Sequence, residues 1–234
     1  MTEDVEAVER AVAEFFGEAP TSREEVGAVS VLVFEDEPED DEEPLVYFVS
    51  AGLSSRALAS APAGAELVLS VRAALDDEGV LVLSEVVGHL ASAFLHHPND
   101  VAPGALIDTG PLPIFLGMDQ MLVTAWGDGG ELDTLSPARS LFSLNPLTRD
   151  EVQAIEGASP DDALAWLNEQ GVDVDDPLRL SRQAMEDTWS AAEALSRGDS
   201  FAFAQAMEAT AGRIRDLAAR TMEEAEPPDP KRRA

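Results

Sequence analysis

His89, His96 and His97 are the only histidines in the chain, so any imidazole chemistry, metal ligation or proton transfer, has to run through them. On one helix the seven-residue step from His89 to His96 is about 10.5 Å at 1.5 Å per residue. That is too far for the i, i+4 pair that a helix offers to one metal ion, and His96 and His97 read better as a helix end near its negative pole. Gly52-Leu-Ser-Ser-Arg56 follows an apolar run as a nucleophile loop would. The Gly-x-Ser-x-Gly spacing is missing, however, and the next segment is irregular where a nucleophile elbow requires a helix. Neither a Gly-x-x-x-x-Gly-Lys loop nor a Gly-x-Gly-x-x-Gly turn is present, and the one lysine, Lys231, stands at the tail, which excludes phosphate cradling by Lys. Asp76-Asp77, Asp161-Asp162 and Asp175-Asp176 have the residue type for general acid–base work. Among 46 carboxylates such pairs arise by chance, and each reads first as a helix-start or loop acid. Gly127-Asp-Gly-Gly130 has a calcium-loop flavour without the regular oxygens of an EF-hand, so a hairpin turn accounts for it better. Trp126, Trp166 and Trp189 read as packing residues. No catalytic residue, metal site or cofactor is expected.

Charge is the extreme number: 46 acids against 15 cations give a formal −31 over 234 residues. A surface of that sign repels nucleic acid and anionic lipid, so neither is expected as a partner. Acids recur in every segment, which favours a solubilising surface, suited to high salt, over one clustered face; clustering would imply a basic partner. The dense block is Glu35 to Glu43. There are no cysteines, hence no disulfide, thiol nucleophile or thiolate site. Thr2, Glu3 and Asp4 have the wrong charge for a signal peptide. The most apolar stretch, Val80 to Leu95, is interrupted by Glu85 and His89 and reads as too short and polar to span a bilayer. The cytoplasm is the expected location.

The elements follow from periodicity. Thr2 can cap a helix carrying Val5, Val8, Val12 and Phe15 at helical spacing, with Gly17 stopping it. Gly27 to Phe34 and Leu45 to Val49 read as paired antiparallel strands joined by the acidic stretch as a solvated loop. Glu66 to Arg72 turns Leu67, Leu69 and Val71 inward as a third strand. Leu83, Val86, Val87, Leu90 and Phe94 share a helical face that ends before Pro98. Ala105 to Asp108, Met121 to Trp126 and Arg139 to Leu144 supply further strands. Thr148 and Glu151 form a capping box, and Ser159-Pro-Asp-Asp162 starts another helix that Gly171 ends. Residues 177–197 and 200–224, rich in Ala, Met, Arg and Glu, read as an αα-hairpin broken at Gly198-Asp199.

Four of these segments, in order, resemble the suppressor of fused domain family. Tyr47-Phe-Val-Ser-Ala-Gly-Leu-Ser-Ser55 is similar to its strand ending in a Thr/Ser-x-Gly-x-Ser turn. Ala65-Glu-Leu-Val-Leu-Ser70 matches its Glu-Leu strand, Val101-Ala-Pro-Gly-Ala105 its Pro-Gly turn, and Leu144-Asn-Pro-Leu-Thr148 through Glu151 its strand-to-helix passage. The residues so matched are Gly52, Ser54, Glu66, Pro103, Gly104, Pro146, Thr148 and Glu151. They name turns and caps, not a catalytic set: Gly52 for a position that calls for φ > 0, Pro103-Gly104 for a turn, Thr148 and Glu151 for a cap. The resemblance implies protein binding, as in eukaryotic members that grip an extended peptide of a transcription factor, or in bacterial relatives that resemble immunity proteins of toxin systems. The helical carboxyl segment departs from the second half of the eukaryotic pattern.

The expected fold is α+β: a mixed, largely antiparallel sheet with flanking helices over residues 1–157, a helical extension over 158–226, and a disordered tail over 227–234. The expected function is a non-catalytic cytoplasmic binding module, of the immunity type, for a protein partner, a basic one if the acids cluster. The rivals are a hydrolase using carboxylates in a cleft near Gly110 to Gly117, and a salt-adapted structural protein without turnover.

Overall fold

In the run from Val29 to Phe34 every residue is buried, whichever way it points, so this chain segment must lie inside a sheet covered on both faces. The structure is a computed structural model, and it describes residues 2–36, 43–98, 101–115, 117–127, 130–179 and 197. The expected αα-hairpin lies outside these residues except for 177–179 and 197, as do the tail, most of the acidic run and the middle of the Gly127–Gly130 turn.

Strands β1 (Ser22–Val26), β2 (Val29–Asp36), β3 (Leu45–Ala51), β4 (Ala65–Arg72), β5 (Leu106–Asp108), β6 (Met118–Ala125), β7 (Glu131–Leu132) and β8 (Arg139–Thr148) form one sheet. Its order is β1-β2-β3-β4-β8-β6-β5, with β7 paired to the start of β8. Every pairing is antiparallel except β4 with β8. The fold is therefore α+β with the mixed, largely antiparallel sheet that the sequence leads one to expect. A parallel pair needs a long crossover; here residues 73–138 make it, helix α2 (Asp77–His96) first and then β5, β6 and β7.

Alternation sorts the strand residues onto two faces. Val31, Val33, Phe48, Leu67, Leu69 and Val71 pack against Leu83, Val87, Ala91 and Phe94 of α2. Leu32, Phe34, Val49 and Val68 point the other way, onto Val8, Ala11 and Val12 of α1 (Thr2–Phe16). Further along that second face, Leu122 and Leu147 are covered by Ile155, which follows α3 (Arg149–Ala154), and by Ala163 and Leu167 of α4 (Pro160–Glu169).

Four local readings change. β1 is not among the expected strands, since Arg23, Glu24 and Glu25 give it no apolar run; pairing to β2 across the Gly27 turn makes it an edge strand whose burial merely alternates half-buried with exposed. On α1 the buried face runs through Phe16, which stacks on Phe34 at 4.5 Å, while Phe15 is 40% exposed. Strands β6 and β8 each reach further than expected, β6 back to Met118 through a bulge and β8 on to Thr148. Helix α2 is longer than the Val80 to Leu95 stretch: at 20 residues with a mean hydropathy of 1.4 it has by length and composition alone enough to cross a bilayer, although here its apolar face is given to the sheet.

Helix α2 approaches β1 closely at Gly88, where a Cβ would stand 2.4 Å from Val26 Cβ. Gly88→Ala should therefore lower the urea midpoint, by about 1–3 kcal/mol for overpacking, although in an open helix the same change would stabilise by about 0.5–1 kcal/mol. A midpoint at or above the wild-type value would mean that the helix has room to move off the strand.

Candidate functional site

Glu66 lies in the second position of β4 and is fully buried. Its carboxylate is received by the turn that ends β3: Gly52 N–H and Ser54 N–H donate to Oε1 at 3.0 and 2.9 Å, and Leu53 N–H and the Ser50 hydroxyl to Oε2 at 3.3 and 2.5 Å. Ser50 Oγ in turn accepts from Leu67 N–H at 2.9 Å. Three successive N–H groups can converge because Leu53–Ser55 is a 3-10 turn entered through Gly52 at φ 128°, a conformation that an L side chain resists. Burial pushes the Glu66 carboxyl up from its ordinary 4.5, and the donors from Ser50, Gly52 and Ser54 pull it back only in part.

A second buried carboxylate closes the other end of the sheet. Thr148 Oγ1 accepts from Glu151 N–H and Glu151 Oε2 accepts from Thr148 N–H at 2.7 Å, the capping box expected from the sequence. Arg179 completes it with a two-pronged ion pair, Nε to Oε1 at 3.2 Å and Nη2 to Oε2 at 3.1 Å. Its remaining donors go to the carbonyls of Pro146, Val174 and Asp176. Pro146 has no N–H to offer a neighbour, and it sits where β4 no longer accompanies β8; its free carbonyl is what the guanidinium reaches. Nearby, Ser70 Oγ donates to Asp175 and Arg72 N–H to the Asp175 carbonyl, so residues 173–179 are laced across the end of β4. Burial chiefly pushes the Asp175 carboxyl up.

Pro103-Gly104 is a third, separate place. Gly104 has φ +93°, donates to Val123 O at 2.7 Å, and passes so close to Pro160 that a Cβ would lie 2.8 Å from its ring. The structure thus brings Gly52, Ser54 and Glu66 together, and Pro146, Thr148 and Glu151 together, but makes no single site of the eight.

One open cleft of about 500 Å³ lies near the Gly110 to Gly117 passage, between residues 74–82 and Pro113-Ile114. Its acids are Asp76, whose carboxylate caps α2 by accepting from Gly79 N–H, and Glu78. The histidines are elsewhere: His89 is on the later half of α2, His96 ends it and His97 caps it. Among the described residues no three His, Asp or Glu side chains are grouped to hold a metal ion.

The family model of the suppressor of fused protein (SUFU) matches residues 25–180. The chain belongs to the suppressor of fused family. A SUFU homologue from Neisseria gonorrhoeae, solved as a crystal structure, is similar over 77% of this chain and 97% of its own, with a TM-score of 0.57 at 19% identity. A chain of the Sufu-Fu complex is similar over 76% of this chain and 91% of its own, with a TM-score of 0.57 at 12% identity. At these identities the likeness is one of fold. No curated protein matches in sequence.

The SUFU match reaches past the four quoted segments in both directions and takes in Arg179. Sequence reasoning missed that residue, since an arginine in an Ala-, Met- and Glu-rich stretch carries no sign of burial. It missed the role of Ser50 too, although Ser50 stands inside the quoted Tyr47 to Ser55 run; its task appears only when β3 and β4 are paired.

A folded state that holds the Glu66 proton more tightly than the unfolded chain gains stability below pH 4.5 and loses it as pH rises through the raised value. Glu66→Gln turns one acceptor into a donor aimed at donors, and should cost about 1–3 kcal/mol. Urea midpoints of the two chains should differ most below pH 4.5 and draw together as pH rises through the raised value; a gap that is constant or widens with pH contradicts the raised carboxyl. Separately, Arg179→Met leaves Glu151 buried without its cation and should cost about 3–5 kcal/mol. Adding Glu151→Gln, which keeps the cap, should recover most of that in a double-mutant cycle, and a neutral Arg179→Met would remove the pair from the structure's supports.

Proposed function

We propose that this chain is a protein-binding module without turnover, working in the cytoplasm and neutralising its partner in the manner of an immunity protein. The observation that carries the reading is the shared fold with a chain captured in the Sufu-Fu complex, in a family to which this chain belongs. The chemistry of the site supports it. The family-matched carboxylates Glu66 and Glu151 face inward and are saturated by hydrogen bonds, so neither is placed to act on a substrate. A net charge of −31 speeds the approach of a basic partner and slows that of nucleic acid.

Two measurements test it. The tagged full chain, incubated with lysate of its native cells at low salt, should retain one protein in stoichiometric amount and lose it as KCl rises; retention of none overturns the binding reading. Expression of the neighbouring gene's product should arrest growth alone and not together with this chain, and equal growth in both cultures would sink the immunity role while leaving binding intact.

A further inference from the structure

The dense acidic run of the sequence and the open cleft meet at one lip. Ala74 lines the cleft, and its N–H donates to Glu43 Oε2 at 3.0 Å, while Ala73 N–H donates to Pro44 O at 3.1 Å. The run Glu35 to Glu43 therefore ends tied to the cleft's edge. Two residues beyond Ala74 on the same segment Asp76 caps α2, and Asp77 and Glu78 open it; all three are exposed. Besides Asp76 and Glu78 the cleft is lined by apolar side chains, among them Leu75, Val82, Pro113 and Ile114. Ile114 is held at φ 73°, where a β-branched residue is strained, with Leu112 N–H bonded to Met118 O on one side and the buried Phe115 on the other. Gly79 keeps the floor open: a Cβ there would lie 3.4 Å from Ile114 Cδ1 and 3.3 Å from Asp76 Oδ1. No Lys or Arg is among the lining residues.

A hollow of about 500 Å³ lined by hydrocarbon, with carboxylates along one edge, is complementary to one kind of ligand. An aliphatic side chain fills the hollow, and cations on either side of it meet the rim, where charge-assisted hydrogen bonds are the stronger ones. We propose that this cleft docks a basic segment of a protein partner, seating one aliphatic residue between Val82 and Ile114 while flanking Arg or Lys side chains reach Glu43, Asp77 and Glu78. The proposal rests on the binding reading above and gives it a place. It also sets the cleft apart from catalysis: Asp76, the acid nearest the floor, is occupied as a helix cap.

The probe is the peptide Gly-Ser-Arg-Arg-Leu-Arg-Arg-Ser-Gly, titrated into the isotope-labelled full chain and followed by amide NMR. Saturable shifts should centre on Ala74, Gly79, Val82 and Ile114, and the affinity should fall about tenfold or more between about 50 and about 300 mM KCl. A Leu→Ser peptide should bind about tenfold less tightly, and so should the chain carrying Glu78→Gln or Ala74→Arg, changes at exposed positions whose folding is checked by the melting temperature. Shifts spread over the acidic surface, indifference to Leu→Ser, or undiminished binding by Ala74→Arg would each overturn the site. So would cleft shifts on removing residues 227–234, because the cleft would then hold the chain's own Lys231-Arg232-Arg233. If Ala74→Arg leaves a lysate-captured complex intact, the site falls and the binding reading stands; if no complex is captured at all, the binding reading falls by itself.

Discussion

A carboxylate in the middle of a sheet, met by backbone N–H groups and a hydroxyl in place of a cation, is the constraint from which the rest of this fold takes its shape. Moving an ionised carboxylate out of water costs several kcal/mol after relaxation, and Glu66 is fully buried. What offsets the cost is a turn that presents three consecutive N–H groups and a serine hydroxyl to two oxygens. That turn exists only if Gly52 adopts φ 128° and if β3 and β4 pair in one register, Val49 opposite Val68. Slipping the pair by one residue would swing every side chain of β4 to the opposite face and leave the donors of the turn without an acceptor. The carboxylate therefore fixes the register of the central strands, and through it decides which residues face α2 and which face α1.

Glu151 solves the same problem by other means. Here the charge is met by a guanidinium whose planar fork matches the carboxylate, and the guanidinium comes from residue 179, far along the chain. The pair ties the segment after α4 to the end of β8, and Ser70 with Asp175 ties it to the end of β4. A buried pair of this sort is weak as a source of stability yet costly to break. It serves better as a lock on where residues 173–179 run than as glue. The two carboxylates stand at opposite ends of the parallel β4–β8 junction: Glu66 is opposite Leu141 near its start, and Glu151 follows the end of β8.

How much of this was legible in the sequence varies with how local the cause is. The capping box, the Ser159 cap with Pro160 behind it, and the positive φ of Gly52 are settled within a few residues, and the sequence shows them plainly. Strands β2, β3 and β4 announce themselves by apolar content. Strand β1 does not, since it owes its existence to the edge of β2 and has only Val26 to bury beneath α2. The difference between Phe15 and Phe16 is one helical step, about 100°, and only the position of Phe34 across the gap decides it. Glu66 reads as a strand residue in a Glu-Leu pair; that its side chain is the centre of a network depends on residues 50–54 folding back over it. Arg179 depends on a contact 28 residues away in sequence, which no spacing rule reaches.

Charge then has two separate lives in this chain. Inside, Glu66 and Glu151 are answered at both carboxylate oxygens. Outside, acids are many, and the cations that pair with them hold the protein's own elements together: Arg23 joins β1 to Glu9 of α1, Arg72 joins β4 to Asp173, and Arg149 joins α3 to Asp119 of β6. Each of these pairs is worth little by itself at an exposed site. Self-repulsion of a surface at −31 works against the compact state and is relieved by salt or by a partner that brings cations. On the proposed reading, a partner of opposite charge gains most where carboxylates border an apolar hollow, because there the same contact removes repulsion and hydrocarbon from water together.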